Sequence, residues 1–134
     1  VLGGLRGNSM ISFCKIAENV DLVAICDKMP EVLKAQKLLA EEDGYVGISF
    51  YDNFDDFIKH DMDAVVLSNY ANEHAPYAIR AMKAGKHVFS ECLPVQNMKE
   101  AVELIEAVER TGMTYSYAEN YCYTPVRWEM RNIW

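Results

Sequence analysis

The sequence predicts an α/β fold: a doubly wound parallel sheet with helices on both faces, forming three layers (αβα). Short apolar runs alternate with longer amphipathic stretches along the 134 residues, which is typical of repeated strand–helix units. A glycine-rich turn over residues 3–7 lies where the first strand would pass into the first helix, predicted over residues 9–18. With 51% hydrophobic residues, a chain of this length can bury a core of its own.

Three near-continuous apolar runs are predicted to be the central strands, because a parallel strand covered by helices on both faces has no polar side. They occupy residues 22–26, 64–67 and 87–89. Residues 48–51 and 114–118 are shorter or alternate polar and aromatic side chains, so we expect them toward the sheet edges. Only Val1 and Leu2 precede the first glycines as a strand, and we therefore expect this chain to be a fragment of a longer protein.

Proline and glycine mark the helix ends. The helix predicted over residues 30–42 begins with Pro30 in its first turn and ends before Gly44. The apolar residues expected on its buried face are Val32, Leu33, Ala35, Leu38 and Leu39.

Two further helices are predicted from the same signals. Residues 75–84 end at Gly85, and residues 97–111 end at Gly112. Asn97 is a candidate cap of the second, with Glu100 three residues later. Residues 126–134 are predicted to begin another helix.

The composition argues against several classes of function. A net charge of −7 with no run of Lys or Arg disfavours nucleic acid as a partner. No stretch approaches the ~20 apolar residues that a membrane-spanning helix needs, so no membrane partner is expected. Cys14, Cys26, Cys92 and Cys122 lie far apart, which predicts free thiols rather than disulfides or a zinc site. We therefore expect a cytoplasmic protein without a bound metal.

The end of the chain is rich in aromatic side chains. This aromatic tail comprises Tyr121, Tyr123, Trp128, Met130 and Trp134. It lacks the interleaved cations of a groove that stacks nucleic-acid bases. We expect it to pack against a domain that follows.

The turn Gly3-Gly4-Leu5-Arg6-Gly7 resembles a phosphate-binding loop, because glycines let the backbone approach a pyrophosphate and the next helix offers N–H donors. If Gly4 and Gly7 are the second and third glycines of G-x-G-x-x-G, Leu2 stands where the first should be. Gly3 would then make the tight turn. A glycine turn that binds no ligand is the alternative.

Asp27 ends the second predicted strand about 20 residues after Gly7, the spacing at which an acidic side chain accepts hydrogen bonds from the adenosine ribose. This position favours NAD as cofactor, because a carboxylate repels a 2′-phosphate. Lys28 follows directly and could pair with that phosphate, which leaves NADP possible. Asp27 as a cap of the helix at Pro30 is the other interpretation.

The sequence resembles the Gfo/Idh/MocA family of glucose–fructose oxidoreductase and inositol dehydrogenase over essentially its whole length. The stretches that carry the resemblance are DAVVL, HAPYA, AGKHVFSE and AENY, at residues 63–67, 74–78, 84–91 and 118–121. The resemblance implies an N-terminal Rossmann domain over residues 1–124, then a connection over residues 125–134 to a sheet-rich domain absent from this chain. It also implies a homo-oligomer.

By this resemblance Glu91 matches the acid of the family's E-K-P motif and is a candidate contact of the nicotinamide ribose. The family's lysine is missing, because the chain reads Glu91-Cys92-Leu93-Pro94. Cys92 could be taken for a nucleophile, but no base adjoins it in sequence, and a small thiol at a strand end is the simpler interpretation. The catalytic residues therefore stay unknown.

The loop after the fourth predicted strand resembles the family's T-P-N-x-x-H segment. Ser68, Asn69 and Tyr70 are candidate cofactor contacts there, and Asn72 is as well explained as a helix cap. His74 matches the family strictly, and is either a packed side chain or a catalytic group. Asn120 is a further candidate by family analogy.

Taken together, these features predict the nucleotide-binding half of an NAD(P)-dependent oxidoreductase that acts on a small carbohydrate-like or polyol substrate, inactive as an isolated fragment. A redox-inactive dinucleotide-binding module and an NAD-dependent glycosidase are the alternatives.

Overall fold

The computed structural model describes residues 1–133, so Trp134 of the aromatic tail lies outside the described part of the chain. The strands are β1 (Ala24–Cys26), β2 (Ser49–Tyr51), β3 (Ala64–Leu67), β4 (His87–Glu91) and β5 (Tyr115–Ala118). The helices are α1 (Asn8–Ile16), α2 (Pro30–Glu42), α3 (Phe54–Phe57), α4 (His74–Lys83), α5 (Met98–Thr111) and α6 (Pro125–Ile133). Short 3₁₀ helices, Ala71–Glu73 and Tyr121–Tyr123, precede α4 and α6.

The strands form a parallel sheet in which Leu2 takes the place of the first strand. β1 pairs with β2, and β4 pairs with both β3 and β5. Leu2 joins these two groups, because it bridges Cys26 on one side and Leu67 on the other. The resulting order, β2-β1-Leu2-β3-β4-β5, is that of a doubly wound sheet. The predicted fold is confirmed, with β2 and β5 at the edges as expected.

Helices cover both faces of the sheet near β1. Ile25 packs in one apolar cluster with Val1 and Ile11 of α1. Its neighbours in the strand, Ala24 and Cys26, belong to a second cluster that includes residues of α3, α4 and α5. Because successive side chains of a strand point to opposite faces, the two clusters lie on opposite sides of the sheet. This is the predicted three-layer arrangement.

The prediction that the run at residues 87–89 is covered on both faces is wrong. In β4, Val88 and Ser90 are buried, whereas Phe89 remains 38% exposed. Helix α4 packs on β4 on the side of the cluster that contains Val88, and residues of α5 belong to the same cluster. The layer formed by α1 and α2 lies at the β1 end of the sheet and leaves the Phe89 face open.

The predicted buried face of α2 is only partly correct, because Val32 is buried as expected but most of the other positions are not. The bounds of the helix are correct. Ala35, Leu38 and Leu39 are exposed, and Leu33 is only partly buried. The buried positions are Val32, Gln36 and Ala40, which follow one another at intervals of four residues along one stripe. The stripe contains a polar residue because Gln36 hydrogen-bonds the glycine turn, a contact that apolar periodicity does not reveal.

The helix ends predicted at Gly44, Gly85 and Gly112 are confirmed, whereas α1 ends at Ile16, two residues before its predicted end. The Asn97 side chain caps α5 by accepting a 3.0 Å hydrogen bond from the backbone N–H of Glu100. At the other end of α5, Gly112 adopts a left-handed conformation with φ +67°, which glycine tolerates best. Helices α2 and α4 similarly stop ahead of Gly44 and Gly85. Within residues 1–133, no helix has the length and apolar character needed to cross a membrane.

The described part of the aromatic tail is exposed. Tyr121, Tyr123, Trp128 and Met130 all retain half or more of their accessible surface. The guanidinium groups of Arg127 and Arg131 lie over the rings of Tyr121 and Trp128, at 5.0 and 5.8 Å from the ring centroids. Packing of this tail against a following domain stays a prediction.

The four cysteines should differ sharply in reactivity. Cys14 and Cys26 are buried, and burial raises the pKa of both thiols, that of Cys26 to about 12. Cys92 and Cys122 are exposed. Because the thiolate is the reactive form, we expect an aromatic disulfide reagent such as DTNB to titrate two thiols in the native chain and four in denaturant. Rapid reaction of all four in native buffer would contradict this arrangement.

Candidate functional site

A cavity of about 540 Å³ opens at the carboxyl ends of β1, β3 and β4, beside the glycine turn. Its size lies within the ~300–1,000 Å³ of ordinary ligand pockets. Most of the residues predicted to contact a cofactor line it: Gly3, Leu5, Arg6, Asp27, Lys28, Ser68, Asn69, Tyr70 and Glu91. The structure therefore brings together groups that are far apart in the sequence at one edge of the sheet.

The glycine turn is held between two neighbouring strand ends. Gly3 donates its N–H to the carbonyl of Cys26, and Ser68 donates to the carbonyl of Leu2, both at 2.8 Å. Gly3 has a φ of +93°, and a Cβ at this residue would lie 2.6 Å from backbone atoms of Ser68 and Asn69. Leu2 thus stays in the sheet, and Gly3 makes the tight turn, as predicted.

Gly7 allows α1 to start close to the sheet. A Cβ at Gly7 would lie 2.9 Å from a Val1 methyl group and 3.2 Å from the Ser68 Cβ. The following helix has no side-chain cap and no acidic residue in its first turn. Its first N–H groups and the positive end of its dipole can therefore face an anion. Gly4 and Gly7 shape this turn without lining the cavity themselves.

Asp27 connects the glycine turn to the start of α2. Its Oδ2 accepts a 2.8 Å hydrogen bond from Gly4 N–H, and its Oδ1 accepts a 2.9 Å bond from Met29 N–H. Asp27 is only 8% exposed and lines the cavity. The N-cap residue of α2 is Met29, and no side chain caps this helix, so the interpretation of Asp27 as its cap is wrong. Each carboxylate oxygen of Asp27 has a further lone pair and can still accept a hydrogen bond from a ligand.

Gln36 is a second link between α2 and the glycine turn, and it was not predicted from the sequence. Its Nε2 donates to the carbonyl of Gly4 at 3.0 Å and to Oδ1 of Asn8 at 3.2 Å. The side chain is buried, and a buried amide requires such partners. A lone glutamine in an otherwise exposed helix segment offers no sequence signal for this contact.

Every cation that lines the cavity is paired with a carboxylate. Arg6 lies 3.5 Å from Glu91, and Lys28 lies 3.1 Å from Glu73. Arg80 forms an ion pair with Asp55. The hydrogen bond from Lys28 to Glu73, together with the carboxylate charge, raises the pKa of the Lys28 amine. Asp27 and Asp52 add further negative charge to the lining.

Two polar atoms of the cavity region have no partner within the described protein. Ser68 Oγ and Asn69 Oδ1 are buried and make no hydrogen bond there. Both residues line the cavity. Buried polar atoms are seldom left unpaired, so these two can accept or donate toward a polar ligand.

His74 and Asn120 do not line the cavity. His74 is 1% exposed, with Nδ1 3.0 Å from the Leu93 carbonyl and Nε2 3.2 Å from the Asn69 carbonyl. These contacts tie together the loops after β3 and β4, which favours a packing role for His74. Asn120 stands at the start of the Tyr121–Tyr123 3₁₀ helix. Among residues 1–133, no group of three or more His, Cys, Asp or Glu side chains could hold a metal ion.

One wall of the cavity was not predicted. Phe54 and Tyr77 pack with ring centroids 4.6 Å apart, and the Arg80 guanidinium lies 4.6 Å from the Phe54 centroid. Asp52 and Asn53, after β2, complete this wall. Phe54 and Tyr77 are ordinary core residues by sequence, so only the tertiary structure places them at the cavity.

The chain is similar in sequence to known proteins. The Gfo/Idh/MocA oxidoreductase family, NAD-binding Rossmann fold, matches residues 2–119. A glycosyl hydrolase family 109 protein of Shewanella amazonensis is 32% identical over 125 residues, covering 90% of this chain and 28% of that protein. An alpha-N-acetylgalactosaminidase of Bacteroides fragilis is 31% identical over 114 residues, covering 81% and 26%. The chain therefore spans less than a third of the length of these relatives.

The fold is also similar to solved structures. A WlbA dehydrogenase from Chromobacterium violaceum, in complex with NADH and UDP-GlcNAcA, superimposes with a TM-score of 0.83 at 20% identity. The match covers 98% of this chain and 37% of that protein. At this identity the likeness concerns the fold.

Proposed function

Because this chain belongs to the Gfo/Idh/MocA oxidoreductase family and is an NAD-binding Rossmann domain, we propose that it is the nucleotide-binding part of a larger NAD-dependent enzyme that acts on a carbohydrate-like substrate. The observation that carries this proposal is the contact between Asp27 and the glycine turn, which we call the junction. The buried Asp27 carboxylate accepts a hydrogen bond from Gly4 N–H, and both Asp27 and the turn line the cavity.

The groups present fit a dinucleotide. The turn residues Leu5 and Arg6 and the uncapped start of α1 would hold the pyrophosphate through backbone N–H groups, whereas the N–H groups of Gly3 and Gly4 are bonded within the protein. Asp27 would accept from the adenosine ribose hydroxyls. The unpartnered Ser68 Oγ and Asn69 Oδ1 would meet polar groups of the cofactor.

The nicotinamide end would lie toward Glu91, which reaches the cavity from the carboxyl end of β4. When bound, NAD accepts a hydride from a carbon of the substrate. The chain's own residues bind and orient the cofactor and limit its exposure to water. No amine follows Glu91, since Cys92 and Leu93 occupy the next positions. A group that takes the substrate proton is therefore expected from another part of the full-length protein.

We assign residues 1–124 to the nucleotide-binding domain, and residues 125–134 to the connection to a further domain. The coverage of the curated relatives, 28% and 26% of their length, supports this division. Association into a homo-oligomer and a cytoplasmic location are part of the same proposal.

A second candidate function is an NAD-dependent glycosidase, in which transient oxidation of a sugar permits elimination at the glycosidic bond. The names of the relatives at 31–32% identity favour this candidate. The full-length protein distinguishes the two functions. A dehydrogenase produces one NADH per substrate oxidised, whereas a glycosidase releases N-acetylgalactosamine from an aryl glycoside without net NADH.

We expect the 134-residue chain to bind NAD and to catalyse no turnover. Isothermal titration calorimetry with NAD and NADP measures the first property, and NADH absorbance with inositol and sugar substrates measures the second. Sustained NADH production by this chain alone would contradict the proposal that catalysis requires a further domain. If the full-length protein binds NAD but shows neither activity, a redox-inactive binding module is the correct function instead.

A further inference from the structure

Lys28 and Glu73 form an ion pair at the end of the cavity where Asp27 would meet the adenosine ribose. The Lys28 amine lies 3.1 Å from one oxygen of Glu73 and 4.8 Å from the centroid of the Tyr70 ring. The second oxygen of Glu73 accepts a 3.2 Å hydrogen bond from the Asn69 side-chain amide. Glu73 is therefore held from two sides, and the lysine is held over an aromatic ring.

This ion pair reduces the positive charge that the cavity can offer to the 2′-phosphate of NADP. The lysine that follows the ribose-binding acid could otherwise neutralise a 2′-phosphate. Here its charge is already balanced by Glu73, and the other cavity cations, Arg6 and Arg80, are paired with Glu91 and Asp55. Among the described residues of the lining, no cation is left without a carboxylate partner.

We propose that Glu73 is a specificity-determining residue that makes the site select NAD over NADP by holding Lys28 in an ion pair. A 2′-phosphate would meet the Asp27 carboxylate and would have to share the Lys28 amine with the Glu73 carboxylate. Two anions would then compete for one positive charge and repel each other, so NADP gains little from the lysine. NAD carries no group at this point and is unaffected. The inference rests on the proposed function, because it assumes that the cavity binds a dinucleotide.

The test is a comparison of NAD and NADP dissociation constants for the 134-residue chain and for Glu73→Gln. The glutamine keeps an oxygen for Asn69 but removes the charge that neutralises Lys28. We expect NADP to bind about fivefold more tightly to this variant, and the NAD dissociation constant to change less than about twofold. The gain should shrink as salt is raised toward ~0.5 M, because partly exposed charges are screened.

Two control variants distinguish the mechanism from a general change in charge. Glu103→Gln breaks a comparable pair with Lys99 on the outer part of α5, 3.7 Å apart, and should leave both constants unchanged. Adding Lys28→Gln to Glu73→Gln should abolish the NADP gain. If the gain persists without the lysine, or if Glu73→Gln leaves the NADP/NAD ratio unchanged while NAD still binds, the inference is wrong. If the unmodified chain binds neither dinucleotide, the proposed function itself fails.

Discussion

Gly3→Ala is expected to abolish NAD binding and to lower the free energy of unfolding by about 3 kcal/mol. The added methyl group would lie 2.6 Å from the carbonyl of Ser68 and the amide of Asn69, at a φ of +93° that alanine rarely adopts. Since Ser68 and Asn69 directly follow β3 and line the cavity, relief of the clash must displace either this segment or the turn. Urea denaturation and NAD titration measure the two effects.

Gly44→Ala is the matched control for this experiment. Gly44 also has a positive φ, +72°, but a Cβ there meets no atom within 4 Å. It should therefore cost only the backbone strain, about 1 kcal/mol, and leave NAD binding intact. If the two variants lose equal stability, steric contact with the Ser68 segment is not what requires glycine at position 3.

Asp27→Asn is expected to weaken NAD binding by about tenfold to a hundredfold and to destabilise the free chain by about 1–3 kcal/mol. Both oxygens of Asp27 accept backbone hydrogen bonds, one from Gly4 and one from Met29. Asparagine supplies only one oxygen, so its NH₂ group must face one of these N–H donors. The variant also removes the charged acceptor offered to the ribose.

Asp52→Asn provides the comparison for this variant. Asp52 lines the same cavity, but among the described residues its side chain accepts a hydrogen bond only from the side chain of Asn53. We expect less than about a twofold change in the NAD dissociation constant for Asp52→Asn. Equal effects of the two substitutions would show that the cavity responds to net charge rather than to the junction formed by Asp27.

Local patterns in the sequence predicted helix bounds correctly where residues within one helical turn determine those bounds. The α2 bounds, the cap at Asn97 and the helix end at Gly112 depend on proline, asparagine and glycine acting within one turn. The strand β1 was identified because it is buried on both faces, which requires an apolar run. The same reasoning failed for Phe89, because apolar composition does not reveal whether a helix lies above a strand.

The site was only partly predictable for a similar reason. The glycine turn and Asp27 were identified because their spacing along the chain is fixed by one strand–helix–strand unit. Gln36 and Tyr77 were missed, since they reach the turn and the cavity from helix positions that carry no motif. Glu73 was missed as well, because its proposed role depends on an ion pair with Lys28, which follows a different strand.

The sequence by itself determined the fold class, the family and the position of the glycine turn, because each of these follows from patterns that span one strand–helix unit or a few residues. The tertiary structure alone decided the strand order through Leu2, the buried face of α2 and the pairing of every cavity cation with a carboxylate. These features join residues that are distant in sequence. Such contacts are set by the packing of whole elements, which local propensity and periodicity do not encode.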